Sequence, residues 1–198
     1  MPGFSICEGI TMSKDYASLP PTEMRRSDRA VNDEAWIKAF LRRAPVGTLA
    51  TAYDGQPFIN TNLFVYDEAA HAIYVHNARV GRTPANVSAN ERICFSISEM
   101  GRLLPAEEAL EFSVEYSGVV VFGRARIMTD PAAAEHALQM LLDKYFPHLK
   151  PGEHYRPIAE QELARTAVYH IEIDSWSGKQ KKVADDFPGA FLYGLHPE

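Results

Sequence analysis

The stretch His76-Asn77-Ala78-Arg79-Val80-Gly81-Arg82-Thr83-Pro84-Ala85-Asn86 concentrates groups that can bind an anion. Guanidinium forks at Arg79 and Arg82, the Thr83 hydroxyl and the free amides of a helix starting after Gly81 are the donors that hold a phosphate. The same residues also read as a solvated helix start capped by Thr83, and the spacing leaves both readings open. His76 belongs to the pKa class suited to proton transfer near neutrality, although a lone histidine in a strand is more commonly a hydrogen-bonded core residue.

Two further runs carry chemistry. Trp176-Ser177-Gly178-Lys179, followed by Lys181 and Lys182, reads as a turn after the last strand. The tryptophan there could press on an aromatic ligand and the lysine meet a phosphate or carbonyl; the plainer alternative is a basic tail with Trp176 on a barrel rim. Asn60-Thr61-Asn62 interrupts a strand otherwise bound for burial, so solvent, protein or ligand must satisfy its polar groups.

Other chemistries are absent. There is no G-x-G dinucleotide fingerprint, no phosphate loop, no G-x-S-x-G elbow and no H-E-x-x-H. His71 and His76 lie five apart on a predicted strand and so face opposite sides, and His148 and His154 sit in a Pro-rich loop without an obvious third ligand. Two cysteines, Cys7 and Cys94, make neither a disulfide framework nor a four-cysteine zinc site, and Cys94 reads as a buried free thiol.

The elements that must position these groups follow from periodicity. Residues 1–27 carry Pro20-Pro21 and no sustained pattern, which predicts a leader lying on the surface or disordered. Asn32-Asp33-Glu34 opens a helix capped by Asn32, with Trp36, Ile37, Phe40 and Leu41 as its apolar stripe and Pro45 as its stop. Strands follow at 46–53 and 57–66 around the hairpin signal Asp54-Gly55, then at 71–77, 92–98, 112–129 and 167–174. Gly118 and Gly123 suggest bulges in the fifth. Pro131 starts a helix through Phe146 with Leu138, Leu141, Leu142 and Tyr145 on its apolar face, and a short helix is predicted at 158–163. Consecutive strands with helices between or after them predict an antiparallel barrel with peripheral helices, a mainly β, α+β architecture.

Composition agrees with an ordinary folded domain. The 198 residues are 46% hydrophobic and 23% charged, enough to bury about 70% of the unfolded surface. A net charge of −6 argues against general binding to nucleic acid or anionic membrane. No run approaches the ~20 apolar residues of a membrane helix, and the first 27 residues lack the pattern of a secretory signal, so a cytoplasmic location is expected.

The order of the pieces resembles the pyridoxamine 5′-phosphate oxidase-like, FMN-binding split-barrel family. The resemblance runs through Val46-Gly47-Thr48-Leu49-Ala50-Thr51, Asp54-Gly55-Gln56-Pro57-Phe58, Asn62-Leu63-Phe64-Val65-Tyr66, Ile73-Tyr74-Val75-His76 and Gly81-Arg82. It continues through Asn90-Glu91-Arg92-Ile93-Cys94-Phe95-Ser96 and the run from Tyr116 to Ala125, ending near Trp176-Ser177-Gly178-Lys179. It is closer to the nitroimidazole-resistance-like branch than to the true vitamin B6 oxidases, whose Arg-Leu-x-Pro-like ending is replaced here by the run Phe187 to Leu195.

The resemblance implies a six-stranded split barrel over residues 28–182, a tail at 183–198 packed on the barrel or a partner subunit, and a homodimer with FMN at its interface. It implies that Asn60, Thr61, Asn62 and Leu63 line the isoalloxazine. His76, Gly81, Arg82 and Thr83 would hold the ribityl chain and phosphate, with Asn86 close by. Trp176 and Lys179 match the C-terminal site segment, and Tyr116 and Ser117 would come from the other subunit. Many relatives carry a second basic residue where this chain has Thr83, so phosphate charge would rest on Arg82 with help from Arg79 or Lys179. The function implied is a flavin-dependent oxidoreductase taking electrons from a reduced nicotinamide. A non-catalytic flavin store or redox sensor, and the same fold holding heme or a deazaflavin, are the alternatives.

Overall fold

In the computed structural model, residues 14–195 are described. Cys7 and Met1 to Met12 lie outside them. Eight strands and four α-helices are arranged in the order β1 (Ala30–Val31), α1 (Glu34–Arg43), β2 (Gly47–Tyr53), β3 (Gln56–Asn62), β4 (Phe64–Asp67), β5 (Ala72–Ala78), α2 (Arg82–Ala89), β6 (Arg92–Leu104), β7 (Ser113–Ile127), α3 (Pro131–Tyr145), α4 (Glu160–Arg165) and β8 (Thr166–Lys181).

The named strands all pair antiparallel, in the order β3-β2-β6-β7-β8-β5-β4, with β1 added to β8. The two ends of that path, β3 and β4, are separated in the chain by Leu63 alone. One residue cannot span an open seven-strand sheet, so the sheet must coil until its edges meet. The result is a barrel split along the β3–β4 seam.

The strand count corrects the expectation of six. The predicted strand 57–66 breaks at Leu63 into two, and Ala30–Val31 pairs with Lys179 and Gly178. Such a two-residue strand has too few residues to show an alternating pattern. Two strands run past their predicted ends, β6 to Leu104 and β8 to Lys181. Trp176 to Lys179 is therefore strand and not a turn. His71 also leaves its predicted strand, occupying the β4–β5 turn at φ 49°.

Local signals account for most of the rest. Asp54 and Gly55 both have positive φ, 48° and 72°, the hairpin geometry whose twist matches the flanking strands. Helix α1 is capped by Asp33, whose side chain accepts from the Ala35 amide, one residue beyond the predicted cap Asn32. Asp130 caps α3 in the same way ahead of Pro131. Helix α4 begins at Glu160, two residues late, where the Glu162 carboxylate turns back to the Ala159 amide.

Gly118 pairs regularly with Lys179, whereas the register of β7 against β8 shifts between Phe122 and Gly123, leaving Asp174 as the extra residue. A Cβ at Gly123 would lie 2.0 Å from the Glu172 carbonyl, so close approach and bulge coincide. The bulge also changes which positions of β8 face inward, from Ile171 and Ile173 before it to Trp176 and Gly178 after it.

The barrel interior holds Leu49, Phe64, Phe95, Val119, Val121, Tyr169 and Ile171, sealed by Ile37, Phe40 and Leu41 of α1 and Val87 of α2. Each such side chain contributes about 1.5–3 kcal/mol by leaving water. A second cluster joins Val65, Ala72, Tyr74 and Val168 to Ala134, Ala137 and Leu141 of α3. Covered on both faces, β5 is buried from Ala72 through Val75 with no polar alternation.

The tail crosses the far end of the β6–β7 hairpin. Phe191 and Leu103 exchange backbone hydrogen bonds of 2.7 and 3.2 Å. Arg102 grips the Glu115 carboxylate at 2.9 Å through two nitrogens and also donates to the Ala184 and Asp185 carbonyls. The Arg102 guanidinium, with the Val183 amide, holds the Glu115 carboxyl down at about 2.

Candidate functional site

The segment leaving β5 forms α2, and Gly81 is its N-cap with φ 147° and no side-chain cap. That conformation is nearly restricted to glycine, and a Cβ there would meet nothing within 4 Å, so space in front of the helix is open. The Arg82 and Thr83 amides begin the helix, Pro84 has none to offer, and the Ala85 amide already binds the Gly81 carbonyl at 3.3 Å. Arg82 is exposed and has no carboxylate partner among the described residues. Arg79 is spent on the Leu163 carbonyl at 3.1 Å.

Side chains of α2 divide between two environments. Thr83 and Asn86 are buried toward the barrel, where Asn86 Nδ2 donates to Thr51 Oγ1 at 3.0 Å. The Thr83 amide is at the helix start, and its side chain is buried. What remains outside is the Arg82 guanidinium beside uncapped amides, a pairing of charge and helix dipole suited to an anion.

The β3 segment divides in the same manner. Asn60 and Asn62 face inward opposite Leu49 and Gly47, while Thr61 faces outward beside Thr48, hydroxyl to hydroxyl at 3.3 Å. Asn60 Nδ2 donates to Asn77 Oδ1 at 3.3 Å, and Asn62 Nδ2 donates to the Asn60 carbonyl at 2.8 Å. The polar run is thus satisfied largely by protein, and its amide bridge ties β3 to β5 across the seam. Leu63, in the break itself, is 45% exposed. As an edge strand, β3 keeps backbone donors and acceptors on its unpaired side. His76 points the opposite way from Asn77 and stays exposed, although crowding by its neighbours pushes its pKa down.

Two residues that sequence reasoning missed hold this junction. Lys144 Nζ donates to the Ala44 and Phe64 carbonyls, both at 2.9 Å, and lies 3.8 Å from the Phe64 ring centroid. Tyr145 Oη accepts from the Phe64 amide at 3.0 Å and donates to the Pro45 carbonyl at 2.8 Å. Burial pulls the Lys144 amine down to about 8. Tyr145 was readable as an apolar-face residue of α3; the adjacent lysine at the rim of that face was the available signal.

The second predicted set lies elsewhere and is itself divided. Trp176 points inward and packs against His71 and Tyr66, with ring centroids 4.7 and 6.4 Å away. Those residues are at the opposite ends of β5 and β4 from His76 and Leu63. Lys179 faces outward, its Nζ 5.6 Å from the Tyr116 ring centroid. Arg29 donates to Tyr116 Oη at 3.1 Å. Burial raises the Tyr116 phenol, but the Arg29 hydrogen bond and the charges of Lys179 and Arg29 outweigh it, leaving the group below its ordinary value. Ser117 Oγ accepts from Gln180 Nε2 at 3.0 Å. Within one chain, therefore, Trp176, Lys179, Tyr116 and Ser117 do not converge on α2.

Cys94 is a free, half-buried thiol raised by burial, on the outer face of β6 in a cleft of about 440 Å³ that Pro21, Ala50 and Phe122 also line. No helix among the described residues is long and apolar enough to cross a membrane.

A family model described as pyridoxamine 5′-phosphate oxidase matches residues 33–180. No curated protein matches the chain in sequence. Among solved structures, the flavocytochrome Anf3 of Azotobacter vinelandii superposes with a TM-score of 0.71 at 23% identity, over 89% of this chain and 86% of that one. The FAD and heme binding protein of Mycobacterium smegmatis gives 0.70 at 20%, over 80% and 76%. A protein assigned to 5-nitroimidazole antibiotic resistance in Bacteroides thetaiotaomicron gives 0.63 at 16%, over 76% and 86%. These likenesses establish the split-barrel fold.

Proposed function

Because the chain belongs to the pyridoxamine 5′-phosphate oxidase family over residues 33–180, we propose that it binds FMN at the α2 end of the barrel and works as an oxidoreductase. In this reading electrons pass from a reduced nicotinamide to a small acceptor. The observation that carries it is the start of α2: uncapped amides behind Gly81 with an exposed Arg82 that no carboxylate among the described residues neutralises. The residues fit the cofactor's two ends. Arg82 and the Arg82 and Thr83 amides hold the phosphate, and the free edge of β3, with Thr61 and Leu63 outward, lies against the isoalloxazine.

When bound, the flavin supplies hydride and electron transfer, and the protein supplies position and electrostatics. Asn60 and Asn77 hold β3 in register across the seam, and Lys144 with Tyr145 fixes the Leu63 break from behind. His76, neutral at pH 7 by virtue of its lowered pKa, is the candidate to exchange a proton with an acceptor.

Substitution Arg82→Ala weakens flavin binding by about 2 kcal/mol, some thirtyfold, through loss of a charge-assisted contact. The check is the visible absorbance spectrum of the purified protein after FMN is added and the excess removed. A wild-type protein that stays colourless overturns the flavin reading, and unchanged retention in Arg82→Ala overturns the phosphate assignment. Turnover with NADH or NADPH above the free-FMN background separates an enzyme from a flavin store.

The chain works as a homodimer in this reading, supported by an outer sheet face of small and apolar residues. Leu49, Phe95 and Val121 point inward, so Thr48, Ala50, Cys94, Ser96 and Val120 point outward beside Ile59, which is 66% exposed. The relatives named as a flavocytochrome and as an FAD and heme binding protein favour a second reading, FAD or added heme. The same spectrum reveals heme, which adds an intense band that flavin lacks, and the mass of the flavin released on denaturation separates FAD from FMN.

A further inference from the structure

Lys144, in the last turn of α3, brings a positive charge to the back of the β3–β4 break. Its Nζ donates to the Ala44 and Phe64 carbonyls, both at 2.9 Å, and lies 3.8 Å from the Phe64 ring centroid and 5.2 Å from that of Tyr145. No carboxylate pairs with it among the described residues. The adjacent Asp143 is exposed and takes a hydrogen bond from Gln139 at 2.7 Å.

Hydrogen bonding at this junction does not require a charge. Tyr145 Oη, a neutral group, accepts from the Phe64 amide at 3.0 Å and donates to the Pro45 carbonyl at 2.8 Å. An ammonium costs more to bury than a hydroxyl, and burial duly pulls the amine from 10.5 down to about 8. At pH 7 it still keeps its proton. The two carbonyls, the Phe64 ring face and the negative end of the α3 dipole are what favour the charged form. A cation without a counter-ion in such surroundings is weakly screened, so its field reaches the chain next to Phe64. That neighbour is Leu63, the 45% exposed residue of the break.

We propose that the Lys144 ammonium makes a flavin bound at the β3 edge easier to reduce. The inference rests on the flavin reading, in which the isoalloxazine lies against that edge and Leu63. A hydride from a reduced nicotinamide carries two electrons and one proton, and the donor departs as the oxidised nicotinamide. The isoalloxazine is thereby left with one net negative charge, which a fixed cation behind the break stabilises more than it does the neutral oxidised ring.

The test is the midpoint potential of the FMN-loaded full chain, measured by slow enzymatic reduction alongside a reference dye. Lys144→Met removes the charge at similar volume. At the potential that half-reduces the wild type, its ratio of reduced to oxidised flavin is expected to be about tenfold lower. Lys144→Arg keeps the charge, and Tyr145→Phe loosens the same junction without altering it, so both stay close to the wild type. Where the methionine variant does not fold, Lys144→Gln removes the same charge but leaves a donor for one carbonyl, and the same drop is expected. An unchanged ratio in the uncharged variants overturns the proposal. So does a shift in Tyr145→Phe as large as that in Lys144→Met, which assigns the effect to geometry. A wild type that stays colourless after FMN is added overturns the flavin reading and this inference with it, whereas a yellow wild type whose potential ignores Lys144 overturns this inference alone.

Discussion

A single side chain on a backbone of fixed parity has only two sides to choose from, and at this barrel that choice separates ligand groups from structural ones. Asn60 and Asn62 attract attention in the sequence because amides are rare in buried strands. Their partners, Asn77 Oδ1 and the Asn60 carbonyl, become visible only when β3 is set against β5 across a seam that local pattern does not encode. Thr83 illustrates the same point on a helix, one residue from Arg82 and pointing the other way. Lys144 is the residue with a measurable consequence. Its amine, lowered to about 8 by burial, loses its proton in the folded state well before the unfolded chain does near 10.5. Between those values the unfolded state binds more protons, so stability rises with pH. A neutral amine still donates twice, matching the Ala44 and Phe64 carbonyls. Urea unfolding at pH 7 and pH 9.5 is expected to show a gain on the order of 1 kcal/mol, after screening at a half-buried site, that Lys144→Met lacks. Equal pH responses in the two proteins would show that the amine is not perturbed in the folded state.

Elements were legible where their signal is short-range. The Asp54-Gly55 hairpin, the Pro131 start of α3 and most strand cores follow from residues in direct sequence contact. The misjudged features depend on partners far away in the chain: the break at Leu63, the two-residue β1, and the long ends of β6 and β8, which pair with β7. Bulges show both cases. Gly118 and Gly123 are equivalent in sequence terms, yet only at Gly123 does the Glu172 carbonyl approach to where a Cβ would sit at 2.0 Å. Since that bulge turns Trp176 and Gly178 inward, Gly123→Ala must part β7 from β8 or undo the inward packing of Trp176. We expect a loss of about 3 kcal/mol or more, read from chemical denaturation. Gly118→Ala, whose nearest contact would be 3.3 Å from the Ile97 carbonyl, costs less. A reversed ranking would remove the bulge from the account of β8.

At the scale of the whole molecule, the two sets of site residues indicated by family resemblance are on one chain but not in one place. The α2 end carries Arg82 and the β3 edge, whereas Tyr116 and Lys179 lie on the outer side of β7 and β8, with Ser117 beside them on the opposite face. If both sets serve one ligand, they must do so from different subunits, which is how a dimer completes a site that a monomer leaves open. The outer face between them has the composition for that contact: Thr48, Ala50, Cys94, Ser96 and Val120 are small or apolar, and Ile59 at the edge is two-thirds exposed, 66%. Because Ile59 already meets solvent in the single chain, Ile59→Glu should leave the barrel's own stability within about 0.5 kcal/mol. Burying the new carboxylate without a partner at a subunit contact would cost several times that, about 2–3 kcal/mol, enough to shift dissociation about a hundredfold. Sedimentation at micromolar concentration should therefore show a dimer for the wild type and mainly monomer for Ile59→Glu. Flavin retention separates the two ways of building the site. Loss of flavin together with the dimer means the α2 end needs the partner's surface, whereas a monomer that stays yellow means that Arg82, the α2 amides and the β3 edge hold the cofactor alone.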